Sequence, residues 1–365
     1  MPPSGPGAGP LPAHSDWRGA GRPPGVGRVG HPAPQAVTSP AHNETMRIAV
    51  LAGGLGGARF VRGLRLAVPA ADITVIGNTA DDIVLFGLKA CPDLDTLMYA
   101  LGDGLDTERG WGRAEETFHA AAELAAYGAQ PDWFGLGDRD LGTHLLRTQL
   151  IHAGYSLTDI TAALCQRWQP GVTLLPMTDD RVETHVVVAD DAGRRAIHFQ
   201  EWWVRHRATL PAHDFVMVGA EEASPGPDVL AVIADADVVV LPPSNPVVSI
   251  GAIFSVPGIR DAVRTTDAPV VGVSGIISGR PLRGMADACL QAIGVDSDAA
   301  AVARWYGARP DGVLDGWLLD TADAHLVSAV EAAGIRTAAV PTRMVDDNAA
   351  AALANAALAL VGVTP

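Results

Sequence analysis

Four glycines stand between an apolar run and a helical pattern: Gly53, Gly54, Gly56 and Gly57. Glycines let the main chain turn sharply and approach a ligand closely, and the unpaired N–H groups at the start of the following helix favour an anion. Arg59, one turn into that helix, is expected to reach a phosphate, with a solvated helix face as the alternative. The segment therefore predicts a phosphate cradle, and an ordinary strand-to-helix turn is the competing interpretation.

Two common nucleotide-binding motifs do not fit this loop. Arg59 occupies the position where the dinucleotide fingerprint requires a third small residue, and the second predicted strand ends at Gly77-Asn78 where an acid would bind a ribose hydroxyl. The sequence also contains no GxxxxGK followed by Ser or Thr, the signature of a P-loop. Classical NAD binding and P-loop chemistry are therefore disfavoured.

Acidic residues follow the second predicted strand and recur shortly afterwards, in Gly77-Asn-Thr-Ala-Asp-Asp82 and Cys91-Pro-Asp-Leu-Asp-Thr96. Because ligands collect beyond the carboxyl ends of parallel strands, we expect Asp81, Asp82 and Asp95 to converge beside the glycine loop. Carboxylates near a phosphate repel it unless a hard cation lies between them, and Mg²⁺ prefers such ligands. The structural alternative is an Asx-turn at Asp81 and a helix cap at Asp93. We interpret Asp93 as a cap and favour Asp81 and Asp95 for function.

Aromatic and charged side chains are combined in the glycine-rich segment Trp133-Phe-Gly-Leu-Gly-Asp-Arg-Asp-Leu-Gly-Thr-His144. Loops of this composition usually serve recognition, because aromatic faces hold planar ligands and charged groups orient them. Asp140 is equally explained as a helix cap and His144 as a surface histidine. Arg139 is the residue in this segment that we predict to be functional.

Two further loops follow strongly apolar runs. The first, between Leu241 and Ile250, offers polar groups that can bind a base, ribose or phosphate at Ser244, Asn245 and Ser249, although a proline-stiffened loop is the alternative. The second, between Val273 and Gly284, adds Ser274, Arg280 and Arg283. Basic residues are scarce in this chain, so two arginines in one loop favour an anionic ligand.

Short Val- and Ile-rich runs alternate with helical patterns from Met46 onward, which is the signature of a parallel sheet covered by helices. Six runs are predicted to form the sheet: Ile48 to Leu51, Ile73 to Ile76, Val238 to Leu241, Val270 to Val273, Trp317 to Leu319 and Thr337 to Val340. Two alternating runs, Val182 to Val188 and Ala196 to Trp203, predict an antiparallel ribbon or extra edge strands. The segment of about 97–170 is predicted to be a helical insertion over the carboxyl edge of the sheet. The fold class is thus α/β, with a Rossmann-like, mostly parallel sheet flanked by helices.

Composition sets the broad class of the protein. The 365 residues carry a formal net charge of −15, which opposes attraction to nucleic acid or anionic membranes. No apolar run approaches the roughly 18 to 20 residues that span a bilayer, and a cytoplasmic location is expected. Residues 1–45 are rich in proline and glycine and are predicted to be a disordered leader, or to precede a true start at Met46. The remaining residues, 46–365, are predicted to form one domain.

Seven motifs occur in one order along the chain: AGGLGGARF, NTADD, CPDLDT, ERGWG with the downstream ETFH, WFGLGDRDLGTH, PPSNPVVSI and SGRPLRG. In this set the chain resembles the family of 2-phospho-L-lactate transferases, whose actinobacterial-type members are phosphoenolpyruvate transferases of coenzyme F-420 biosynthesis. The resemblance covers residues 46 to about 360. The leader is not in the family pattern.

The resemblance implies a Mg²⁺-dependent transfer of a phosphoenolpyruvyl or 2-phospho-L-lactyl group. The donor would be a guanosine diphosphate adduct, the acceptor would be the terminal ribityl hydroxyl of the deazaflavin 7,8-didemethyl-8-hydroxy-5-deazariboflavin (Fo), and GMP would be released. It implies Asp81 and Asp95 as metal ligands and catalytic residues, and Asp95, Asp138 and Arg139 as the Fo site. The glycine loop with Ser244 and Asn245 would hold the guanosine diphosphate, and a homodimer is expected.

Two other functions remain as alternatives. One is a regulatory protein of the gluconeogenesis-factor type, which shares the glycine loop and binds a nucleotide sugar without turnover. The second is an NAD-dependent oxidoreductase, which Arg59 and Asn78 disfavour. Between the two transferable groups, the ERGWG and WFGLGDRDLGTH segments favour phosphoenolpyruvate.

Overall fold

Seven parallel strands form the central sheet of the structure, a computed structural model that describes residues 45–190 and 193–364. The described residues contain fourteen strands in all, of which seven form smaller sheets: β1 (Arg47–Ala52), β2 (Asp72–Gly77), β3 (Ile83–Leu85), β4 (Leu88–Ala90), β5 (Thr173–Pro176), β6 (Glu183–Asp190), β7 (Gly193–His198), β8 (Ala212–Val218), β9 (Val238–Leu241), β10 (Val270–Val273), β11 (Ile276–Ile277), β12 (Arg280–Pro281), β13 (Gly316–Asp320) and β14 (Arg336–Val340). The predicted leader, 1–45, lies outside the described residues except for its last position.

Twelve α-helices connect the strands in the described part of the chain. They are α1 (Gly54–Ala67), α2 (Pro92–Leu101), α3 (His119–Ala126), α4 (Asp138–His152), α5 (Leu157–Trp168), α6 (Val229–Ala234), α7 (Gly251–Ser255), α8 (Ile259–Thr265), α9 (Ala286–Ala292), α10 (Ala299–Tyr306), α11 (Val327–Glu331) and α12 (Asp347–Leu360). Short π-helical turns cover Glu201–Arg205 and Pro246–Ile250, and 3₁₀ turns cover Ala220–Glu222 and Thr321–Leu326.

The strand order of the sheet is β5-β2-β1-β9-β10-β13-β14, with every neighbouring pair parallel. The chain runs outward from β1 through β2 to β5, then returns to β9 and continues outward in the opposite direction to β14. The order therefore reverses between β1 and β9. In doubly wound sheets this switch point opens a crevice at the carboxyl ends of the strands, where ligands bind.

Both faces of the sheet are covered, which is why its strands read as continuous apolar runs. Along β1, Ile48 and Val50 pack into a core with α1, α2 and α12, whereas Ala49 and Leu51 pack into a second core on the other face. The second core includes buried side chains of α8 and α10 and of the three-stranded antiparallel sheet β7-β6-β8. The predicted fold class is confirmed.

All six predicted sheet strands are present, and the structure adds one more at the edge. β5 reads Thr-Leu-Leu-Pro and ends in Pro176, so it lacks the β-branched apolar run of β9 and β10, which are equally short. The predicted ribbon is present as β6 and β7, but its second run was predicted too long, because Trp202 and Trp203 belong to a π-helical turn. β8, the third strand of this small sheet, was not predicted.

The connection from β2 to β5 contains the β3–β4 hairpin and four helices, α2 to α5. Between α2 and α3 the chain makes a single isolated bridge, from Leu105 to Arg113. α3 buries none of its residues and packs beside α4. Within the described residues, no single helix is long and apolar enough to cross a membrane; one sharply bent pair, residues 246–255 and 259–265, meets that test by length and composition alone.

Candidate active site

The glycine loop lies at the switch point, directly against the loop that follows β9. A Cβ atom at Gly53 would collide with the Ser249 hydroxyl, and one at Gly56 would collide with the carbonyl oxygen of Pro243. Gly54 has a φ of +64°, a left-handed conformation that other residues adopt at a cost. Glycine is therefore required here by the close approach of two loops as well as by the turn.

Ser244 ties these two loops together. The Gly53 N–H donates to Ser244 Oγ at 3.2 Å, and the hydroxyl donates back to the Gly53 carbonyl oxygen at 2.9 Å. The Asn245 carboxamide oxygen instead accepts from two N–H groups of its own helical turn, at 2.9 and 3.2 Å. The structure thus brings Ser244 and Ser249 to the glycine loop, whereas the Asn245 oxygen serves as a cap.

The N-terminus of α1 has no side-chain cap from its own residues. Its N-cap residue is Gly53, and its first turn contains no acidic residue. The helix dipole favours negative charge at this point, and the Asp93 carboxylate, from α2, accepts a hydrogen bond from the Gly54 N–H there. Arg59 lies half-buried on the next turn, where burial and the positive charge of Arg283 lower the pKa of its guanidinium. Positive groups thus concentrate here in a chain of net charge −15.

A cluster of carboxylates lies beside this positive end. Asn78 Nδ2 donates to Asp93 Oδ2 at 2.9 Å and to the Val248 carbonyl oxygen at 3.2 Å. Asp81 is buried, and its Oδ1 has no hydrogen-bond partner among the described residues. Burial, with repulsion from Asp93, raises the pKa of Asp81 well above its usual value, and burial raises the pKa of Asp93 to about 6. A bound cation would stabilise the ionised form of both side chains.

Asp93 was interpreted as the cap of the following helix, and the structure places it differently. α2 begins at Pro92 with Cys91 as its N-cap, so Asp93 lies within the first turn and is not the cap. A Cβ atom at Gly53 would collide with its carboxylate, which shows how close this side chain stands to the glycine loop. Because proline is favoured at the first helical position, Pro92 was the signal that could have placed Asp93 inside the helix.

Asp82 is buried and faces a different partner. Its carboxylate lies 3.0 Å from Lys89 Nζ, on the β3–β4 hairpin. Its carbonyl oxygen lies 3.1 Å from His198 Nε2, on β7. Burial raises the pKa of Asp82, and the charge of Lys89 opposes that rise. The acidic turn is thus fixed from the hairpin on one side and from the antiparallel sheet on the other.

Asp95 belongs to a buried network between α2 and α4. Both of its carboxylate oxygens accept from the Arg147 guanidinium, with Nη1 to Oδ2 at 3.1 Å. His144 lies 3.8 Å from Asp95 and 3.4 Å from Asp140, which accepts from the Tyr99 hydroxyl at 2.6 Å. Asp95, Asp140 and His144 each offer an atom to a possible metal site, within 4.8 Å of one another. Arg147 already neutralises Asp95, so this group is the weaker candidate for a cation.

Asp138 and Glu116 cap each other's helices. Asp138, at the start of α4, accepts from the Thr117 hydroxyl at 2.6 Å and from two N–H groups at the start of α3 at 2.9 Å each. Glu116, just before α3, accepts from the N–H groups of Arg139 and Asp140 at 2.7 and 3.1 Å. These hydrogen bonds lower the pKa of Asp138. The Asp138 carboxylate is therefore engaged within the protein.

Arg139 contacts the segment between α2 and α3. Its guanidinium is about half exposed and lies 3.1 Å from Glu115 Oε2. In the same segment, Trp111 is 47% exposed and packs against Phe118 with ring centroids 6.5 Å apart. The Arg109 guanidinium lies over both rings, at 5.4 and 5.6 Å. An exposed tryptophan with a cation beside it is suited to a planar ligand. Sequence analysis did not single out Trp111.

Comparison with known proteins identifies close relatives. The family model described as 2-phospho-L-lactate transferase CofD matches residues 48–356. A protein of Streptomyces coelicolor named phosphoenolpyruvate transferase is 63% identical over 315 residues, which cover 86% of this chain and 98% of that protein. A protein of the same name from Thermobifida fusca is 61% identical, over 86% of this chain and 98% of its own length. Another, from Mycobacterium avium, is 55% identical, over 88% of this chain and 100% of its own length.

Solved structures agree on the fold. Two crystal structures of the Bacillus halodurans protein BH3568, one of them described as a member of the UPF0052 family, superpose with TM-scores of 0.56 and 0.53. They cover 86% of this chain and 100% and 99% of their own, at 18% and 17% sequence identity. At that identity the likeness concerns the fold alone.

Proposed function

The chain belongs to the 2-phospho-L-lactate transferase family and is a transferase, and from that premise we propose that it moves a phosphoenolpyruvyl group from a guanosine diphosphate adduct to Fo, with release of GMP. The observation that carries the proposal is the glycine loop at the N-terminus of α1 with the carboxylates of Asp81 and Asp93 beside it at the switch point. Three relatives at 55–63% identity named phosphoenolpyruvate transferase support that group over phospholactate. The reaction would be a step of coenzyme F-420 biosynthesis.

The donor is assigned to the switch point, beside the packed loops after β1 and β9. N–H groups at the N-terminus of α1 would receive a phosphate, and Ser244 and Ser249 lie next to them. The close packing of the two loops at Gly53 and Gly56 supports this assignment, because it fixes the position of these N–H groups. The family match over residues 48–356 supports one transferase domain over residues 46–365.

Fo is assigned to the aromatic surface around Trp111. A deazaflavin ring is planar and can stack on an exposed indole, and Arg139 can donate paired hydrogen bonds to its polar edge. Asp138 was expected to contact Fo. In this proposal it has a structural role instead, because its carboxylate already accepts hydrogen bonds from N–H groups at the start of α3. It fixes the start of α4 and thereby the position of Arg139.

Asp81 and Asp93 are the residues that we assign to Mg²⁺. The unpartnered, buried Asp81 Oδ1 and the raised pKa values of both carboxyls fit a cation ligand pair. Asp81 was expected in this role, whereas Asp93 takes the place expected for Asp95, because Arg147 occupies both Asp95 oxygens. When bound, Mg²⁺ would neutralise charge on the diphosphate.

The chemical step is a displacement at phosphorus. The ribityl hydroxyl oxygen forms a bond to the distal phosphorus, the bond from that phosphorus to the bridging oxygen breaks, and GMP leaves with the electron pair. The hydroxyl proton passes to solvent, because carboxylates that hold the cation are ionised and no longer have the raised pKa of the metal-free site. Positioning and electrostatic stabilisation supply most of the rate in such transfers.

Chromatography of a reaction mixture tests the proposal. The purified protein with Mg²⁺ and the phosphoenolpyruvyl guanosine adduct should release GMP only when Fo is added, and at the rate at which Fo disappears. GMP release that is independent of Fo would indicate a hydrolase, and no release with any guanosine adduct would favour the regulatory binding protein. The homodimer and the cytoplasmic location remain predictions.

A further inference from the structure

Two arginines, one on α1 and one in a separate loop, lie near the first turns of α1. Arg59 is on α1, and Arg283 is in the loop between β12 and α9. The charge of Arg283 acts on the Arg59 guanidinium. A Cβ atom at Gly110 would collide with Arg283 Nη1 and would lie 3.1 Å from Leu55 Cδ2, in the first turn of α1. Gly110 therefore makes room for the Arg283 guanidinium beside the anion cradle.

Among the described residues neither arginine is paired with a carboxylate, although the chain has 41 acidic residues for 26 basic ones. Other arginines of the same part of the fold do have such partners, as in Arg62 with Asp347 at 2.8 Å and Arg109 with Asp106 at 3.0 Å. Two unpaired like charges side by side repel each other. Arg283 is exposed and Arg59 is half-buried, so solvent screens part of this repulsion, and an anion of two charges lying between them would relieve the rest.

Geometry distinguishes which phosphate would lie there. Arg59 is five residues after Gly54, so its Cα is about 7.5 Å along the helix from the terminal N–H groups. Helical side chains lean toward the N-terminus, which carries the guanidinium back toward the cradle without covering it. One phosphate can thus accept from the helix N–H groups while a second lies between the two arginines.

We propose that Arg59 and Arg283 form a clamp for the second phosphate of a nucleoside diphosphate, and that this clamp distinguishes the donor from the product GMP. The inference rests on the proposed function and deepens it. Once the distal phosphorus has moved to the acceptor hydroxyl, GMP retains one phosphate, held by the helix N-terminus alone. The clamp then has no ligand, and GMP is bound more weakly than the donor.

Isothermal titration of the full chain with GDP and with GMP, in Mg²⁺ at fixed ionic strength, tests the clamp. Wild type should bind GDP at least tenfold more tightly than GMP. Arg59→Gln and Arg283→Gln should each weaken GDP binding by about tenfold or more, the range for a charge-assisted hydrogen bond, and should change GMP binding less than threefold. Arg264→Gln is the control, a partly exposed arginine on α8 and outside both loops, which should change neither affinity.

Thermal unfolding without nucleotide separates this role from a structural one. Because removing either charge relieves repulsion, both variants should melt at or above the wild-type temperature. A lower melting temperature in both, equal losses of GDP and GMP affinity, or unchanged GDP affinity would each overturn the clamp. These titrations measure binding and do not need turnover. A protein that keeps the arginine-dependent preference for GDP but does not transfer a group to Fo would therefore contradict the proposed function and still support the clamp.

Discussion

Asn78 donates to the Asp93 carboxylate at 2.9 Å and thereby joins the end of β2 to the first turn of α2. The Asn78 side chain is fully buried, and its other groups bind the Val248 carbonyl oxygen and the Ala80 N–H. A neutral amide thus occupies the strand end where dinucleotide-binding folds place an acid. The acidic side chains of this site are Asp81 and Asp93, which lie beside the glycine loop.

Replacing Asp81 or Asp93 by asparagine should lower activity and raise the stability of the metal-free protein. Asp81→Asn and Asp93→Asn should each lower turnover about 100-fold or more, because the ligands of the cation are lost. Since each removes a carboxylate held at a raised pKa, the metal-free variants should be more stable than wild type at neutral pH. Activity assays with denaturant titrations check both effects. Asp261→Asn, at an exposed aspartate on α8, should change neither.

Asp95→Asn should act in the opposite way on stability. It leaves the buried Arg147 guanidinium without its partner, which costs about 3–5 kcal/mol. Binding of Mn²⁺, followed by electron paramagnetic resonance on the folded variant, should persist. The double variant Asp95→Asn/Arg147→Met should recover part of the lost stability. Loss of Mn²⁺ binding in a stable Asp95→Asn protein would move the metal site to Asp95, Asp140 and His144.

The carboxylate pair should make the stability of the metal-free protein depend on pH. The folded pKa of Asp93, about 6, lies above its ordinary value of 3.8, so the folded state binds more protons in this range. Stability from this group is therefore full below about pH 4 and falls as the pH rises through 6. The stability gain of Asp93→Asn over wild type should be small near pH 4 and reach its maximum above pH 6. A gain that is constant over this range would contradict the raised pKa.

The affinity of the protein for Mg²⁺ should also depend on pH, because the ion displaces the protons that Asp81 and Asp93 hold. Its affinity should fall as the pH drops below 6, and calorimetry in buffers of different ionisation enthalpy should detect proton release near pH 6. Binding without proton release at that pH would indicate ligands that are already ionised.

Arg139→Ala should weaken Fo binding by about 10- to 100-fold, and guanosine-adduct binding by less than threefold. Arg139 contacts the segment that carries the aromatic surface, whereas the diphosphate is assigned to the loop at Gly53, and loss of an arginine from a partly desolvated site costs about 1–3 kcal/mol. Separate fluorescence titrations of the two ligands measure this. Arg264→Ala, at another exposed arginine paired with an aspartate, is the control. Equal losses for both ligands would place Arg139 at the phosphates.

Most of the fold could be predicted because it depends on features that are local in the sequence. β1 and its glycine loop are adjacent in sequence, and the buried strands are continuous apolar runs, so both were predictable. The partners of the acidic residues were not, because they depend on distant contacts. Arg147 lies 52 residues from Asp95, and Glu116 meets the start of α4 from 23 residues away. No spacing rule anticipates such pairs.

Mass spectrometry of the deazaflavin product tests the central claim most directly. The protein, Mg²⁺ and Fo are incubated with an equimolar mixture of the phosphoenolpyruvyl and the phospholactyl guanosine adducts. The proposed function predicts one main product, Fo carrying the phosphoenolpyruvyl group, which is lighter than the phospholactyl product by two hydrogens. A product that is mainly phospholactyl-Fo would contradict the assigned donor, and recovery of Fo unchanged from both adducts would contradict the transfer itself.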